Sequence, residues 1–255
     1  MSVALHMEEI ALRARCLSAE TREIRNRLDD CGFAIIEPNG PAELVLDDIM
    51  LPLGEPVEYG FGTKLALEPR AGEQNLQFTE RGMPLHTDGA FNPGPEVKYI
   101  GMQCVTAPAA GGESLVASSV AFFEHAPADL LETMRTISIE YRNRIAGYYR
   151  GGSEDNHPKV PPIRLDPVTG AERLIIGLTD PEDPMRTHDA VVMGYEPDRS
   201  AELMRRISEA LHMSSVLYAH KWRPGEVMVL DNRRVVHGRA PFPNQQRKIV
   251  RLSVS

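Results

Sequence analysis

Pro84-Leu85-His86-Thr87-Asp88-Gly89 and, far downstream, Asp231-Asn232-Arg233-Arg234-Val235-Val236-His237-Gly238-Arg239 decide how this chain of 255 residues is read. In an extended segment residues i and i+2 point to the same side. His86 and Asp88 therefore reach one ion while Thr87 points away. His237 follows Asp88 by 149 residues and has to arrive from a neighbouring strand. Taken alone His-x-Asp is a weak signal, because it recurs by chance and a single histidine is more often a packed or surface residue.

Two imidazoles and one carboxylate on one face of a metal form the facial triad of non-haem Fe(II) oxygenases, which leaves the opposite coordination positions open. A basic element after the second histidine strengthens that reading. Arg247-Lys248-Ile249-Val250-Arg251-Leu252-Ser253-Val254 alternates as a strand does. Positions 248, 250, 252 and 254 form a mostly apolar face suited to packing against helices, and the other face projects Arg247 and Arg251. Arginine offers a planar fork that binds carboxylates through two N–H groups. Two such forks beside a metal suggest anionic groups to be held, although a solvated basic edge strand has the same pattern.

Together these residues resemble the Fe(II)/2-oxoglutarate-dependent dioxygenases of the taurine dioxygenase and clavaminate synthase type. The resemblance runs from Gly32-Phe33-Ala34-Ile35-Ile36 to the C-terminus. It includes Ala109-Ala110-Gly111-Gly112-Glu113-Ser114, similar to the family's Gly-Gly-x-Thr segment. It also includes His157-Pro158, Asp166-Pro167-Val168-Thr169-Gly170, and Pro224-Gly225-Glu226-Val227 leading into Asp231-Asn232-Arg233. Two features depart from the pattern. Ser114 stands where many relatives have threonine, and the ten-residue interval from His237 to Arg247 is slightly short.

The resemblance implies a mainly β fold with flanking helices, a double-stranded β-helix or jelly roll. It implies Fe(II) held by His86, Asp88 and His237, with 2-oxoglutarate and O2 as cosubstrates. Arg247, helped by the Ser114 hydroxyl, would clamp the far carboxylate of 2-oxoglutarate, and Arg251 would bind an anionic group of the main substrate. Oxidative decarboxylation to succinate and CO2 would then drive C–H hydroxylation of a small carboxylate-bearing compound, an amino acid or derivative being the first expectation. A sulfonate or other small anion, and desaturation or epoxidation, stay open as alternatives. Asp88 keeps the acid that related halogenases replace to admit chloride. The resemblance further implies a weak visible absorption band from an Fe(II)–2-oxoglutarate chelate. Outside the family, a zinc hydrolase would leave Arg247, Ser114 and the glycine pair without a role, and a non-catalytic jelly-roll binding protein would leave the ligand set unexplained.

Composition narrows the classes further. The length fits one domain, residues 1–255, and Cys16, Cys31 and Cys104 are too few and unpatterned for a disulfide framework or a cysteine zinc site. A reducing cytoplasm is expected. Met1 to Arg15 lacks the apolar core of a signal peptide, and no run approaches a membrane span. A net charge of −8 disfavours nucleic acid, so the expected partner is a small molecule, with a homo-oligomer left open.

Along the chain, helices are expected over 19–30 with Ser18 as cap, 42–50, 120–126, 128–135 and 199–211. Strands are expected over 33–37, 99–105 and 114–118, with the last three beginning near Ser215, Glu226 and Lys248. Residues 143–195 are rich in proline and glycine and read as largely loop, a lid or an insertion. Asp180, Glu182, Asp183 and Asp189 there would meet a substrate amine only if that segment folds inward, and otherwise are solvated. Gln77 and Phe78 are candidates for the pocket wall. Asn232 is expected to support the ligands.

Overall fold

Val227, Met228, Val229 and Leu230 show why the chain layers as it does. Val227 and Val229 join one buried cluster with Ile24, Leu28 and Met50, whereas Met228 and Leu230 join a second with Phe33, Val116, Trp222 and Ile249. Side chains alternate along a strand, so a strand buried on both faces separates two cores. The structure, a computed structural model, describes residues 11–13, 17–37, 46–59, 62–73, 75–90, 96–144, 157–167 and 169–255.

Six strands make the larger sheet, in the order β1 (Ala11–Arg13), β2 (Phe33–Glu37), β13 (Val227–Asp231), β5 (Tyr99–Thr106), β15 (Lys248–Val254) and β3 (Lys64–Leu67). Four make the smaller one, β12 (Leu217–His220), β6 (Ser114–Ser118), β14 (Val235–Arg239) and β4 (Met83–His86). Between the sheets lie Ile100, Met102, Cys104, Val116, Met228, Val235 and Ile249. This is the jelly roll that the sequence implies, two sheets with an interior able to hold a site.

Helices cover both outer faces. α1 (Leu17–Cys31) and α2 (Leu46–Met50) lie on the larger sheet through Ile24, Leu28, Leu46 and Met50, against Leu252 and Val254 of β15. The apolar face of β15 thus meets helices, as its alternation predicts. α3 (Ser119–His125), α4 (Ala128–Met134) and α5 (Pro197–Leu211) cover the smaller sheet through Phe122, Leu130, Met134, Leu203 and Ile207.

Several boundaries differ from expectation for local reasons. α1 begins at Leu17, which puts Ser18 inside the first turn instead of at the cap. α3 begins at Ser119, with the Ser118 hydroxyl accepting from the Ala121 N–H. α5 begins at Pro197, because proline fits the first helical position, where no N–H is needed. Residues 42–45 of the expected second helix lie outside the described residues.

Where it is described, at 143–144, 157–167 and 169–195, the segment expected to be largely loop carries strands. β7 (Ile139–Asn143) pairs with β11 (His188–Val192) and β8 (Lys159–Val160), while β9 (Ile163–Leu165) and β10 (Glu172–Leu174) form a hairpin. Its following residues extend the smaller sheet, since Thr87 N–H donates to Ile176 O at 2.7 Å and Leu178 N–H to Leu85 O at 2.8 Å. Strands of two to five residues between prolines carry too little alternation to be read locally.

Gly101 of β5 lets α2 sit close to the sheet. A Cβ there would lie 2.5 Å from the Met50 sulfur and 2.9 Å from Leu46 Cδ1. Gly101→Ala is therefore expected to lower unfolding stability by about 1–3 kcal/mol through overpacking, measured as a fall in urea midpoint at unchanged slope. An unchanged midpoint would mean that this contact does not fix the helix.

Candidate functional site

β14 carries His237 between β6 and β4, opposite His86 on one side and Val116 on the other. Val236 points outward into the helix-covered core and Val235 into the inter-sheet core, so His237, one residue on from Val236, faces inward. Leu85 packs outward in the same way, which turns His86 inward. Asp88 follows two residues later. One ligand atom from each of His86, Asp88 and His237 lies within 4.8 Å of the other two. His86 Nε2 is 3.3 Å and His237 Nε2 3.8 Å from Asp88 Oδ1, with the two rings centred 4.4 Å apart.

Neighbouring groups fix the orientation of these donors. His86 Nδ1 lies 2.9 Å from the Pro84 carbonyl oxygen. A proton held there leaves the Nε2 lone pair directed at the cluster. Asn232 holds the backbone of Asp88 at both ends, accepting from its N–H at 2.9 Å and donating to its carbonyl at 3.0 Å. A further N–H of the same amide reaches Val97 O at 2.9 Å. Asp88 Oδ2 is paired with Arg251, so Oδ1 is the oxygen that faces the imidazoles.

Burial by itself pushes the Asp88 carboxyl up, but Arg251, the His86 hydrogen bond and the two imidazoles outweigh it and hold the group well below the usual carboxylate range. Burial pushes His237 down to about 3, with His86 and Arg251 adding to the effect and Asp88 opposing it. At neutral pH the trio is thus one carboxylate with His237 uncharged. Those are the protonation states that divalent metals require of their ligands.

Arg247 precedes β15 and is 4% exposed. Its Nε–H donates to Gly112 O at 3.1 Å, and burial pushes its pKa down to about 10. Among the described residues no carboxylate lies within ion-pair distance of it. Gly112 permits the approach, because a Cβ there would lie 3.1 Å from Arg247 Cδ. Ser114, at the start of β6, is buried on the same inner side, and its Oγ accepts from Trp222 Nε1 at 3.0 Å.

Arg251 also donates to the Ser253 hydroxyl at 3.1 Å and to the Tyr59 hydroxyl at 3.3 Å. His86, Asp88, Ser114, His237, Arg247 and Arg251 thus lie on the inner faces of the two sheets or at the ends of their strands. Three of the four acidic candidates of the 180s are otherwise engaged. Asp183 pairs with Arg81, Asp189 with Arg144 and Arg186, and Asp180 caps the turn at the Glu182 N–H. Phe78 is buried in a 3-10 turn, with the Arg70 guanidinium 3.8 Å from its ring centroid.

Sequence reasoning passed over Trp222, Tyr59 and Arg239. Arg239 is buried and donates to the carbonyls of Leu76, Thr79 and Arg81 at 2.8, 2.9 and 2.6 Å, tying down the turn that precedes His86. Trp222 had a signal, since it is the single tryptophan of the chain and stands in His220-Lys221-Trp222-Arg223-Pro224-Gly225-Glu226.

Comparison with known proteins shows the family and the fold. The family profile described as taurine catabolism dioxygenase TauD, TfdA family matches residues 10–253. The 3-((Z)-2-isocyanoethenyl)-1H-indole synthase of Fischerella ambigua is 27% identical over 206 residues, covering 79% of this chain and 73% of that protein. Tyrosine isonitrile desaturase of Pseudomonas aeruginosa is 29% identical over 203 residues, covering 75% of this chain and 65% of that protein. Among solved structures, the PvcB protein from Pseudomonas aeruginosa is similar at a TM-score of 0.73 and 21% identity, over 96% of this chain and 84% of that one. A further structure of PvcB is described as an Fe, alpha-ketoglutarate dependent oxygenase from an isonitrile synthetic pathway.

The pairing of β14 with β4 depends on Gly238. A Cβ there would lie 2.5 Å from Met83 O and 3.2 Å from Leu85 N, both backbone atoms that cannot turn aside. Gly238→Ala is expected to part the two strands and weaken Mn(II) binding by roughly tenfold or more, a loss of the size seen when groups that orient metal ligands are disturbed, with the circular dichroism of a folded β protein retained. Calorimetric titration checks this, and wild-type affinity would contradict it.

Proposed function

This chain belongs to the taurine catabolism dioxygenase TauD/TfdA family, and from that premise we propose that it is an Fe(II)- and 2-oxoglutarate-dependent oxygenase acting on a small carboxylate-bearing substrate. The observation that carries the reading is the Arg247 guanidinium, buried beside Gly112 with no carboxylate partner among the described residues. A buried charge left unpaired is costly, so the site is built for an anion that the chain does not supply.

The donor set fits the metal. Two imidazole nitrogens and one carboxylate oxygen within 4.8 Å suit a non-haem Fe(II) site with open positions. His86, Asp88 and His237 would hold the ion. When bound, Fe(II) with 2-oxoglutarate and O2 supplies oxidative decarboxylation to succinate and CO2, coupled to oxidation of a substrate C–H bond.

The chain's own residues do the positioning. Arg247 and the Ser114 hydroxyl would receive the far carboxylate of 2-oxoglutarate and so fix which end of the cosubstrate faces the metal. Arg251 stands beside Asp88, where it would anchor the substrate's anionic group. A guanidinium has five N–H donors and can serve Asp88 and a substrate together. The apolar residues between the sheets would keep water from the reacting carbon. The backbone bonds of Ile176 and Leu178 to Thr87 and Leu85, on either side of His86, support a reading of 143–195 as a lid or insertion beside the site.

Hydroxylation is the first outcome proposed. The names of two relatives, an isocyanoethenyl indole synthase and a tyrosine isonitrile desaturase, favour a second, in which the same C–H oxidation leaves a carbon–carbon double bond. A small-molecule substrate fits both. No helix among the described residues is long and apolar enough to cross a membrane, and Cys31 and Cys104 are buried free thiols, which supports the cytoplasmic setting proposed.

The test is succinate formation from 2-oxoglutarate by Fe(II)-loaded enzyme in air, across amino acids, small carboxylates and sulfonates, and isonitriles of tyrosine and tryptophan. One compound is expected to stimulate turnover strongly, its product heavier by one oxygen for hydroxylation or lighter by two hydrogens for desaturation. No stimulation, together with hydrolysis by the zinc-loaded protein, would overturn the reading. Within it, Arg247→Ala is expected to raise the KM for 2-oxoglutarate by roughly two orders of magnitude, the scale of losing a buried charged partner. Arg251→Ala should instead raise the KM for the main substrate. Exchange of those two effects in steady-state kinetics would reverse the assignment of the arginines.

A further inference from the structure

We propose that Trp222 is a positioning residue for the cosubstrate, and that its indole N–H turns the Ser114 hydroxyl proton toward the far carboxylate of 2-oxoglutarate. The inference rests on the reading in which Ser114 and Arg247 receive that carboxylate. It adds a residue and a direction to it.

A serine hydroxyl has one proton to give and two lone pairs to accept with, whereas an indole N–H only donates. Trp222 Nε1 lies 3.0 Å from Ser114 Oγ, so one lone pair is filled and the Ser114 proton cannot point at Trp222. Among the described residues no acceptor takes that proton. A buried donor without a partner costs free energy, and here it lies on the inner face that also holds Arg247. A hydroxyl that accepts from an N–H is also the better donor, because hydrogen bonds in a chain polarise one another.

The tryptophan is held firmly enough to direct a proton. It is 3% exposed, and the His220 ring meets it edge to face at 4.7 Å. His220 is the register partner of Ser114 across β12 and β6, and its Nε2 lies 3.1 Å from Glu226 Oε2. Glu226 accepts in addition from Arg223 N–H at 2.7 Å and from Arg223 Nε–H at 2.6 Å, closing the turn through Pro224 and Gly225. The segment His220 to Glu226 thus serves as a bracket for one indole N–H.

Trp222 is the chain's only tryptophan, so its fluorescence reports on this one contact. The experiment titrates 2-oxoglutarate into Mn(II)-loaded protein without oxygen, followed by tryptophan emission and by calorimetry. Wild-type emission is expected to change saturably with 2-oxoglutarate, and the change should be lost or displaced to much higher concentration in Ser114→Ala. Trp222→Phe keeps the ring and removes the N–H. It should raise the Kd for 2-oxoglutarate roughly tenfold, the scale of one hydrogen bond to a charged group, while the Kd for Mn(II) stays at its wild-type value. Adding Trp222→Phe to Ser114→Ala should cost nothing further.

A Trp222→Phe Kd for 2-oxoglutarate equal to wild type, or losses that add in the double variant, would overturn the inference. Should Trp222→Phe not fold, the comparison of emission in wild type and Ser114→Ala decides: no response to 2-oxoglutarate in the wild type overturns it. If Ser114→Ala and Arg247→Ala both bind 2-oxoglutarate as the wild type does, the cosubstrate reading itself fails.

Discussion

The register that sets His237 of β14 against His86 of β4 is the constraint on which the rest of the site depends. Side chains in a sheet alternate with a period of two, so a slip by one residue would turn His237 into the helix-covered core and bring Val236 or Gly238 into the interior. The hydrophobic pattern forbids that slip. Val235 and Val236 are fully buried on opposite faces, and each would lose its core. The same strand then places Arg239 against the turn before β4, and Asn232, just ahead of it, against the backbone of Asp88. One strand therefore fixes one histidine directly and the other two donors through its neighbours.

Among the described residues, the buried charged groups near the site have partners within the chain. Asp88 has Arg251, Glu226 has His220 and Arg223, and Arg239 has three backbone carbonyls. Arg247 has one hydrogen bond, to the Gly112 carbonyl, and the Phe242 ring centroid 5.7 Å from its guanidinium carbon. Nearby Arg239 is itself shifted down to about 9, first by burial and then by Arg247, so two cations share a dry region. Such an arrangement costs stability in the empty protein and is offset when an anion binds, because a ligand that binds only the folded state stabilises it. On the function proposed, that cation would meet the far carboxylate of 2-oxoglutarate, while His86, Asp88 and His237 would hold the metal.

Much of this was legible in the sequence because the decisive residues occupy regular strands. Alternation along 247–254 placed Arg247 and Arg251 on one face and Leu252 and Val254 on the other, and the packing follows it. The i, i+2 rule placed His86 with Asp88. What escaped depends on contacts between distant segments. The Arg251 to Tyr59 and Arg239 to Leu76 contacts span 192 and 163 residues, and no local pattern reports them. Of the short strands within 159–192, β8 and β11 pair with β7 and β9 pairs with β10, so proline and glycine content misjudged them. Trp222 was visible as a lone tryptophan, but its partner Ser114 lies 108 residues away.

On the function proposed, His86, Asp88 and His237 would hold one Fe(II), and Arg247 would take the far carboxylate of 2-oxoglutarate. Visible absorption under anaerobic conditions tests it most directly, with Fe(II)-loaded protein titrated first alone and then with 2-oxoglutarate. A weak visible band is expected that appears only with both present, saturates at one equivalent of Fe(II), disappears in Asp88→Ala and needs far more 2-oxoglutarate in Arg247→Ala. A protein that binds Fe(II) at this site yet shows no band at any concentration of 2-oxoglutarate would contradict it.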